Sequence, residues 1–279
     1  MCIAALASAV MHVGWNMLAK SLSAPRDLLF GVSIATATLC GVAFPFLGPP
    51  PGACWPWIGT AAVCNVLYLH MLTAAYSRSP FAVAYAVTRA VVPPVLLVLG
   101  WVFLAEPGRR GACLGLMLVV GSLLLFALAK SDLRELKLNG LLFAAAAGLI
   151  LSCALWLEVK GIWAGGPGLT NLFRVSAASS LTTALGVTAA RWASFADPFA
   201  PLRDKPGLCY LGSVLLLASY LCGMWAYAQG PIGLVAAVRE SGILFGGGLA
   251  VLVLRERVSK LQWAAIAAAT MGIVLVQIG

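Results

Sequence analysis

Charged residues are scarce in this chain, and acidic residues are the scarcer sign. Lys, Arg, Asp and Glu make up 10% of the 279 residues, with nine acidic against eighteen basic side chains and a formal net charge of +9. A soluble domain carries about 25% charged residues, whereas apolar residues reach 62% here. The composition therefore excludes a soluble globular protein and predicts a polytopic membrane protein. The positive charge does not indicate a nucleic-acid partner, because the cations stand singly in short loops.

Side chains suited to metal or enzyme chemistry are also few. The two histidines, His12 and His70, lie far apart in the sequence without acidic neighbours, and the eight cysteines show no C-x-x-C spacing. Zinc sites and magnesium-dependent phosphotransfer need clustered ligands, but the apolar stretches offer only the carboxylates Glu158 and Glu240. We therefore predict that the protein is not an enzyme and holds no metal or cofactor.

Long apolar runs are what the chain has instead. A membrane span needs roughly 20 apolar residues, and the first run reaches that length without the basic start of a cleavable signal peptide. The sequence predicts ten transmembrane helices, at 2–20, 28–48, 55–76, 80–104, 111–129, 138–163, 168–191, 206–228, 231–254 and 260–278. The connections are too short for another domain, so we expect one integral membrane domain, all α-helical.

The organising feature is a stretch that occurs twice. Residues 80–106 align with residues 231–256 when one position is dropped, and Arg89 then falls on Arg239. The sequence thus divides into a first five-helix repeat (1–130), a connecting loop (131–137) and a second five-helix repeat (138–279). Because five is odd, the two copies enter the membrane from opposite sides. This predicts an inverted repeat around a central cavity near the membrane midplane.

Each copy carries a weak point shortly after its arginine. Pro93 and Pro94 follow Arg89, and the glycines Gly246, Gly247 and Gly248 follow Arg239. Proline removes an amide donor from a helix, and carbonyls freed at membrane depth must be satisfied by protein or line a wet cavity. We therefore predict a hinge or helix break in the fourth and ninth spans.

Three charged residues fall inside these spans. A central charge costs about 2.5–3.5 kcal/mol on insertion scales, so Arg89, Arg239 and Glu240 require a use or a partner. Neighbouring helix residues point about 100° apart, so Glu240 needs a partner other than Arg239, and Arg89 is the expected one. Two roles stay open for this pair: a structural lock between the halves, and a gate that opens when substrate binds.

Further polar and aromatic side chains are predicted to face the cavity. His12, Trp15 and Asn16 share one face of the first span, where interhelical hydrogen bonding is the alternative role. Aromatic residues also collect at membrane interfaces, which is the alternative for Trp163 near a span end. The remaining candidates for substrate binding are Tyr68, Tyr85, Trp156, Trp163 and Tyr227. By contrast, we expect Glu158 to lie near enough to its span end to snorkel, and the Ser/Thr-rich seventh span to bond mainly to its own backbone.

The pattern resembles the drug/metabolite transporter superfamily, specifically its ten-span EamA type. The resemblance rests on Trp-then-Lys near the ends of spans one and six, the P-x(8)-R and P-x(7)-R starts of spans four and nine, L-A-E at 104–106, L-R-E at 254–256, and the glycine-rich spans that follow. It implies a secondary transporter in a bacterial inner membrane, working by alternating access, as monomer or homodimer.

Among such transporters the chain is similar to the YddG-like amino-acid exporters. That similarity implies export of aromatic or apolar amino acids, with the substrate carboxylate at Arg89 or Arg239. Proton coupling through Glu240 or His12 stays open, as do export of lipophilic cations or other metabolites and a role outside transport. The family keeps both termini in the cytoplasm, whereas the positive-inside count (twelve cations against three) predicts the opposite orientation.

Overall fold

The fold is built from helices throughout the part of the chain that the structure describes. The structure is a computed structural model, and it describes residues 2–20, 25–79, 81–104, 110–128, 137–166, 168–193, 197, 199–240 and 260–278. The helices are α1 (Cys2–Lys20), α2 (Pro25–Leu47), α3 (Trp55–Tyr76), α4 (Phe81–Leu104), α5 (Arg110–Leu128), α6 (Leu138–Ala164), α7 (Leu169–Ala193), α8 (Ala200–Asp204), α9 (Pro206–Gln229), α10 (Ile232–Glu240) and α11 (Lys260–Ile278), with a 3-10 turn at Gly52–Cys54.

The apolar runs coincide with these helices. Where both ends of a predicted span are described, the helix bounds agree with the prediction to within three residues. Five segments are long and apolar enough to cross a membrane by length and composition: Phe30–Leu47, Gly52–Tyr76, Val83–Leu104, Leu138–Ala164 and Pro206–Gln229. These helices fit an integral membrane protein of the all-α class.

The outer surface is more apolar than that of a soluble protein. Large apolar side chains lie on the outer surface, with Ile3, Phe46 and Met117 exposed over 85%, 87% and 71% of their area. The buried side chains include charged ones, among them Glu158 at 4% and Glu240 at 3% exposure. Monomeric soluble proteins rarely expose large contiguous apolar patches, so an outer surface of this kind is suited to lipid.

The helices pack mainly across the boundary between the two predicted halves. In one set of contacts α1 packs against α9 and α10, while α6 packs against α3 and α4. In another, α2 contacts α7, α4 contacts α10, and α5 contacts α11. The largest buried apolar cluster combines side chains from α4, α6, α9 and α10, among others. Helix α4 therefore lies near the centre of the bundle.

Glycines allow two helices to approach the backbone of α4 closely. A Cβ on Gly148 of α6 would stand 2.5 Å from the carbonyl oxygen of Thr88, and a Cβ on Gly233 of α10 would stand 2.5 Å from the Cα of Leu97. Real Cβ atoms do not tolerate such distances, so only glycine fits these backbones at this separation. The two contacts hold α4 on both sides of its proline pair.

The fourth span has no helix break at its proline pair, so of the two predicted alternatives the break is wrong and the hinge stays a prediction. Pro93 and Pro94 lie inside α4, which runs as one helix from Phe81 to Leu104. Each proline removes one hydrogen bond, but neighbouring helices can hold a proline-containing span in helical form. Here the close contacts with α6 and α10 supply that support. The other predicted break, at Gly246, Gly247 and Gly248, lies outside the described residues.

Candidate functional site

A cavity of about 240 Å³ lies between α1, α2, α3, α4, α6, α7, α9 and α10. Aliphatic side chains form much of its wall, with polar and charged groups inserted among them. The lining residues are His12, Val32, Ser33, Thr36, Asn65, Tyr68, Leu69, Arg89, Leu151, Leu155, Glu158, Ser179, Ser180, Thr183, Ala184, Leu216, Leu217, Tyr220 and Arg239. Ligand pockets usually measure about 300–1,000 Å³, so this cavity suits a small solute.

Arg89 on α4 is held by a network of buried partners. Its Nη1 lies 3.3 Å from Oε1 of Glu240 on α10, which is the ion pair that the sequence led us to expect. Its Nη2 lies 3.1 Å from Nε2 of His12 on α1, and that ring nitrogen also lies 3.1 Å from the Tyr85 hydroxyl. The Arg89 guanidinium carbon further stands 5.2 Å from the centre of the Tyr85 ring. The positive charge of Arg89 is thus matched by a carboxylate within the protein.

Arg239 on α10 is placed differently. Its Nε donates to Oγ of Ser8 at 3.0 Å, and Ser8 and Ser219 bond each other's carbonyl oxygens at 2.6 and 2.8 Å. Gly223 on α9 makes room, since a Cβ there would stand 3.1 Å from the Arg239 Nε. Within the described parts of the chain, no carboxylate lies within 4.0 Å of this guanidinium. Arg239 therefore brings an unmatched positive charge to the cavity.

Glu158 on α6 brings the opposite charge to the cavity wall. Its Oε1 accepts hydrogen bonds from Nδ2 of Asn65 at 3.0 Å and from Oγ of Ser179 at 2.8 Å. The phenol of Tyr220 is a further neighbour of this carboxylate. No Lys or Arg of the described segments lies within 4.0 Å of it. Glu158 is thus a buried carboxylate held by neutral donors.

One expectation about this part of the chain is therefore wrong. Glu158 does not snorkel to a span end: it is 4% exposed, because α3 and α7 cover it and supply its hydrogen bonds. The hydroxyls of α7 do not all bond to their own helix. Thr182 does so, at 2.9 Å from the carbonyl oxygen of Ala178, but Ser179 turns to Glu158 instead.

The aromatic candidates divide between the cavity and other surroundings. Tyr68 lines the cavity, and Tyr85 contacts two of its lining residues. Trp156 and Trp163 lie on either side of Lys160, whose ammonium is 5.6 and 5.7 Å from their ring centres, but neither lines the cavity as predicted. Trp156 instead packs beside Trp57 and Phe103, which lie on other helices.

Three further candidates complete the set. Tyr227 is fully buried in the main apolar cluster, beside Arg239, and does not line the cavity. Its position on the same helix as Tyr220 placed it near the site without giving it access. The side chains of Trp15 and Asn16 lie outside the described residues, although the backbone of both belongs to α1.

The cavity wall carries groups that can bind a charged solute. It combines two guanidinium groups, one carboxylate and several hydroxyls with apolar walls. In the described portion of the sequence, no group of three or more His, Cys, Asp or Glu side chains is arranged to hold a metal ion. The functional residues that the sequence reasoning missed are Glu158 and Ser179, and the signal available for them was the rarity of carboxylates inside the spans.

Comparison with known proteins supplies a fold and no family. No family model matches the chain. No curated protein matches it either. A protein of known crystal structure aligns with 99% of this chain and 96% of its own, with a TM-score of 0.78 and 16% identical residues. At that level of identity the similarity shows a shared fold alone, and it extends over nearly the whole chain.

Proposed function

We propose that the protein is a secondary transporter that exports small metabolites, namely apolar amino acids, across a bacterial inner membrane. The observation that carries the proposal is a small cavity, inside an apolar bundle, lined by an arginine from each predicted half. Buried charges that served only to stabilise the fold would not require a cavity beside them. Transport gives both the cavity and the charges a role, since charged groups within membrane helices mark substrate pathways.

The packing supports an inverted repeat of ten spans. When α1 to α5 are matched in order with α6, α7, α9, α10 and α11, the contact of α1 with α9 corresponds to that of α6 with α3. The contact of α1 with α10 likewise corresponds to that of α6 with α4, and three pairs map onto themselves: α2 with α7, α4 with α10, and α5 with α11. This exchange pattern is what a two-fold axis in the membrane plane produces, and rocking of the two repeats would then alternate access to the cavity.

The wall chemistry favours an amino acid with an aliphatic side chain. Val32, Leu69, Leu151, Leu155, Leu216 and Leu217 line the cavity, while Trp156 and Trp163 do not. The modest volume of about 240 Å³ also favours a small solute. In this proposal the guanidinium groups receive the substrate carboxylate, and the apolar wall receives its side chain.

The test is uptake of labelled leucine into proteoliposomes that contain the purified protein, with and without a pH gradient. We expect saturable uptake by the wild type and a loss of at least about tenfold in Arg239→Ala, because the variant removes a charge-assisted hydrogen-bond donor from the site. Stimulation by the gradient would add proton coupling. The matched control is Arg203→Ala, which removes an arginine whose side chain is 68% exposed.

Three results would count against this assignment. Absence of uptake for every amino acid tested, by protein that remains monodisperse, would reject amino-acid transport. Normal uptake by Arg239→Ala would show that Arg239 does not bind the substrate and has a structural role only. Equal losses in Arg203→Ala and Arg239→Ala would show that the effect is not specific to the cavity.

A second candidate function is export of lipophilic cations. The observation that favours it is Glu158, a buried cavity carboxylate without a cationic partner among the residues described. The two arginines of the same cavity oppose it, since a cation would meet their repulsion. Competition by tetraphenylphosphonium in the same uptake assay separates the two functions: displacement of leucine by this cation would favour the second.

A further inference from the structure

Glu158 and Arg239 differ from the other charged groups of the cavity in lacking a charged partner. Arg89 is neutralised by Glu240 at 3.3 Å. Of the described charges that line the cavity, this leaves one guanidinium and one carboxylate, Arg239 and Glu158, without an oppositely charged group within 4.0 Å. A buried charge is costly unless it is paired. Arg239 and Glu158 act on each other electrostatically across the cavity, and a ligand between them would give each group a direct countercharge.

The hydrogen bonds of Glu158 leave part of its acceptor capacity for a ligand. The amide of Asn65 and the hydroxyl of Ser179 both donate to Oε1, and the Tyr220 phenol is a third donor to the carboxylate. A carboxylate accepts up to about four hydrogen bonds. The first two donors also fix the orientation of the group, because they come from different helices, α3 and α7.

Arg239 is oriented in a similar way. Its Nε is used by Ser8, while Gly223 removes the side chain that would otherwise press on the guanidinium. The terminal nitrogens of an arginine form a planar fork that suits a carboxylate. The Ser8 bond uses Nε and the Tyr227 phenol is a further hydrogen-bond neighbour of the guanidinium. Because a guanidinium has five N–H donors, donors remain for a ligand that carries a carboxylate.

We propose that Glu158 and Arg239 are the two poles of a zwitterion site: Glu158 binds the ammonium group of an amino acid and Arg239 binds its carboxylate. This rests on the proposed transport function and adds a selectivity rule to it. A solute with a single charge leaves one buried pole uncompensated, so the site rejects both the amine and the carboxylic acid that share the substrate's side chain. The Arg89–Glu240 pair contributes no net charge to this recognition.

The rule is tested by counterflow. Proteoliposomes containing the full chain are loaded with unlabelled leucine, and entry of labelled leucine is measured against external competitors. The competitors are 3-methylbutylamine, which lacks the carboxylate, and 4-methylpentanoate, which lacks the ammonium group. We expect leucine to compete at least about tenfold better than either, since each loses one charge-assisted hydrogen-bonded contact.

The variant Glu158→Gln should lose the preference for leucine over 4-methylpentanoate and keep the preference for leucine over 3-methylbutylamine. The apparent affinity for leucine should fall by about 10- to 100-fold, while 4-methylpentanoate should become as effective a competitor as leucine. Rejection of 3-methylbutylamine should persist, because Arg239 is unchanged. The control is Asp204→Asn, which neutralises an exposed carboxylate in α8 and should behave as the wild type.

Each alternative result points to a different failure. If 4-methylpentanoate inhibits wild-type counterflow as strongly as external unlabelled leucine does, the zwitterion site is overturned, even if no variant folds. Glu158→Gln with unchanged affinity and selectivity would overturn it too, and loss of gradient-driven uptake alone in that variant would make Glu158 a proton carrier instead. In those cases amino-acid transport stands, whereas absence of wild-type counterflow for every amino acid would overturn the transport function itself.

Discussion

The ion pair between Arg89 and Glu240 offers a quantitative test of the fold. Their side chains are 9% and 3% exposed, and the two atoms are 3.3 Å apart. Removing one partner of a buried pair costs about 3–5 kcal/mol, because the other charge stays buried without compensation. We expect Glu240→Gln to lie near the lower end of that range, at about 3 kcal/mol, since His12 and Tyr85 still contact Arg89.

A double-mutant cycle isolates the pair from its surroundings. Arg89→Gln combined with Glu240→Gln removes both charges, so the double variant should lose less stability than the sum of the single variants. We expect a coupling energy of about 2 kcal/mol, within the range for contacting residues. The assay is equilibrium unfolding of the purified protein in mixed detergent micelles, followed by tryptophan fluorescence.

The exposed pair of Arg203 and Asp197 is the matched control. The side chains are 68% and 45% exposed, and solvent screens such pairs strongly. The same neutral substitutions there should leave the unfolding midpoint unchanged. Additive losses at Arg89 and Glu240, with a coupling energy below about 0.5 kcal/mol, would refute the view that this pair joins α4 to α10.

Two further predictions concern α4 itself. Gly148→Ala on α6 should destabilise the protein by about 1–3 kcal/mol through overpacking, because its Cβ would stand 2.5 Å from the Thr88 carbonyl oxygen of α4. Thermal unfolding measures this loss. The control is Gly59→Ala, which has no atom within 4 Å of its Cβ and should not lower the unfolding midpoint. The double variant Pro93→Ala with Pro94→Ala should keep both helix content by circular dichroism and leucine uptake, since α4 is already continuous; loss of uptake with intact helix content would show that the prolines serve a movement instead.

The sequence was most informative where lipid imposes a strict rule. Apolar runs of spanning length located the helices to within three residues, because backbone groups in a bilayer must be satisfied within the segment itself. The pairing of Arg89 with Glu240 was predictable for a related reason. The two residues carry opposite charges that cannot reach water, and they lie on the two spans that the sequence alignment matches. Each therefore has few other partners.

Side-chain surroundings were less predictable, because periodicity fixes which residues share a helix face and not what that face meets. Trp156 and Trp163 share a helix face, yet neither side chain lines the cavity. Glu158 was misplaced because its position along the helix gave no sign of Asn65 and Ser179, which reach it from other helices. The prolines of α4 were misjudged for the same reason, since the support they need comes from α6 and α10.

The packing of α5 against α11 has a consequence for biosynthesis. The end of α11 is translated 150 residues after the end of α5, which takes roughly 8–30 s at the usual rates of synthesis. During that time α1 and α5 are already made, whereas their main partners, α9 and α11, are still to be completed. The first five helices therefore spend this interval without most of the contacts that finally cover them, and the same helices of other nascent chains can compete for those surfaces.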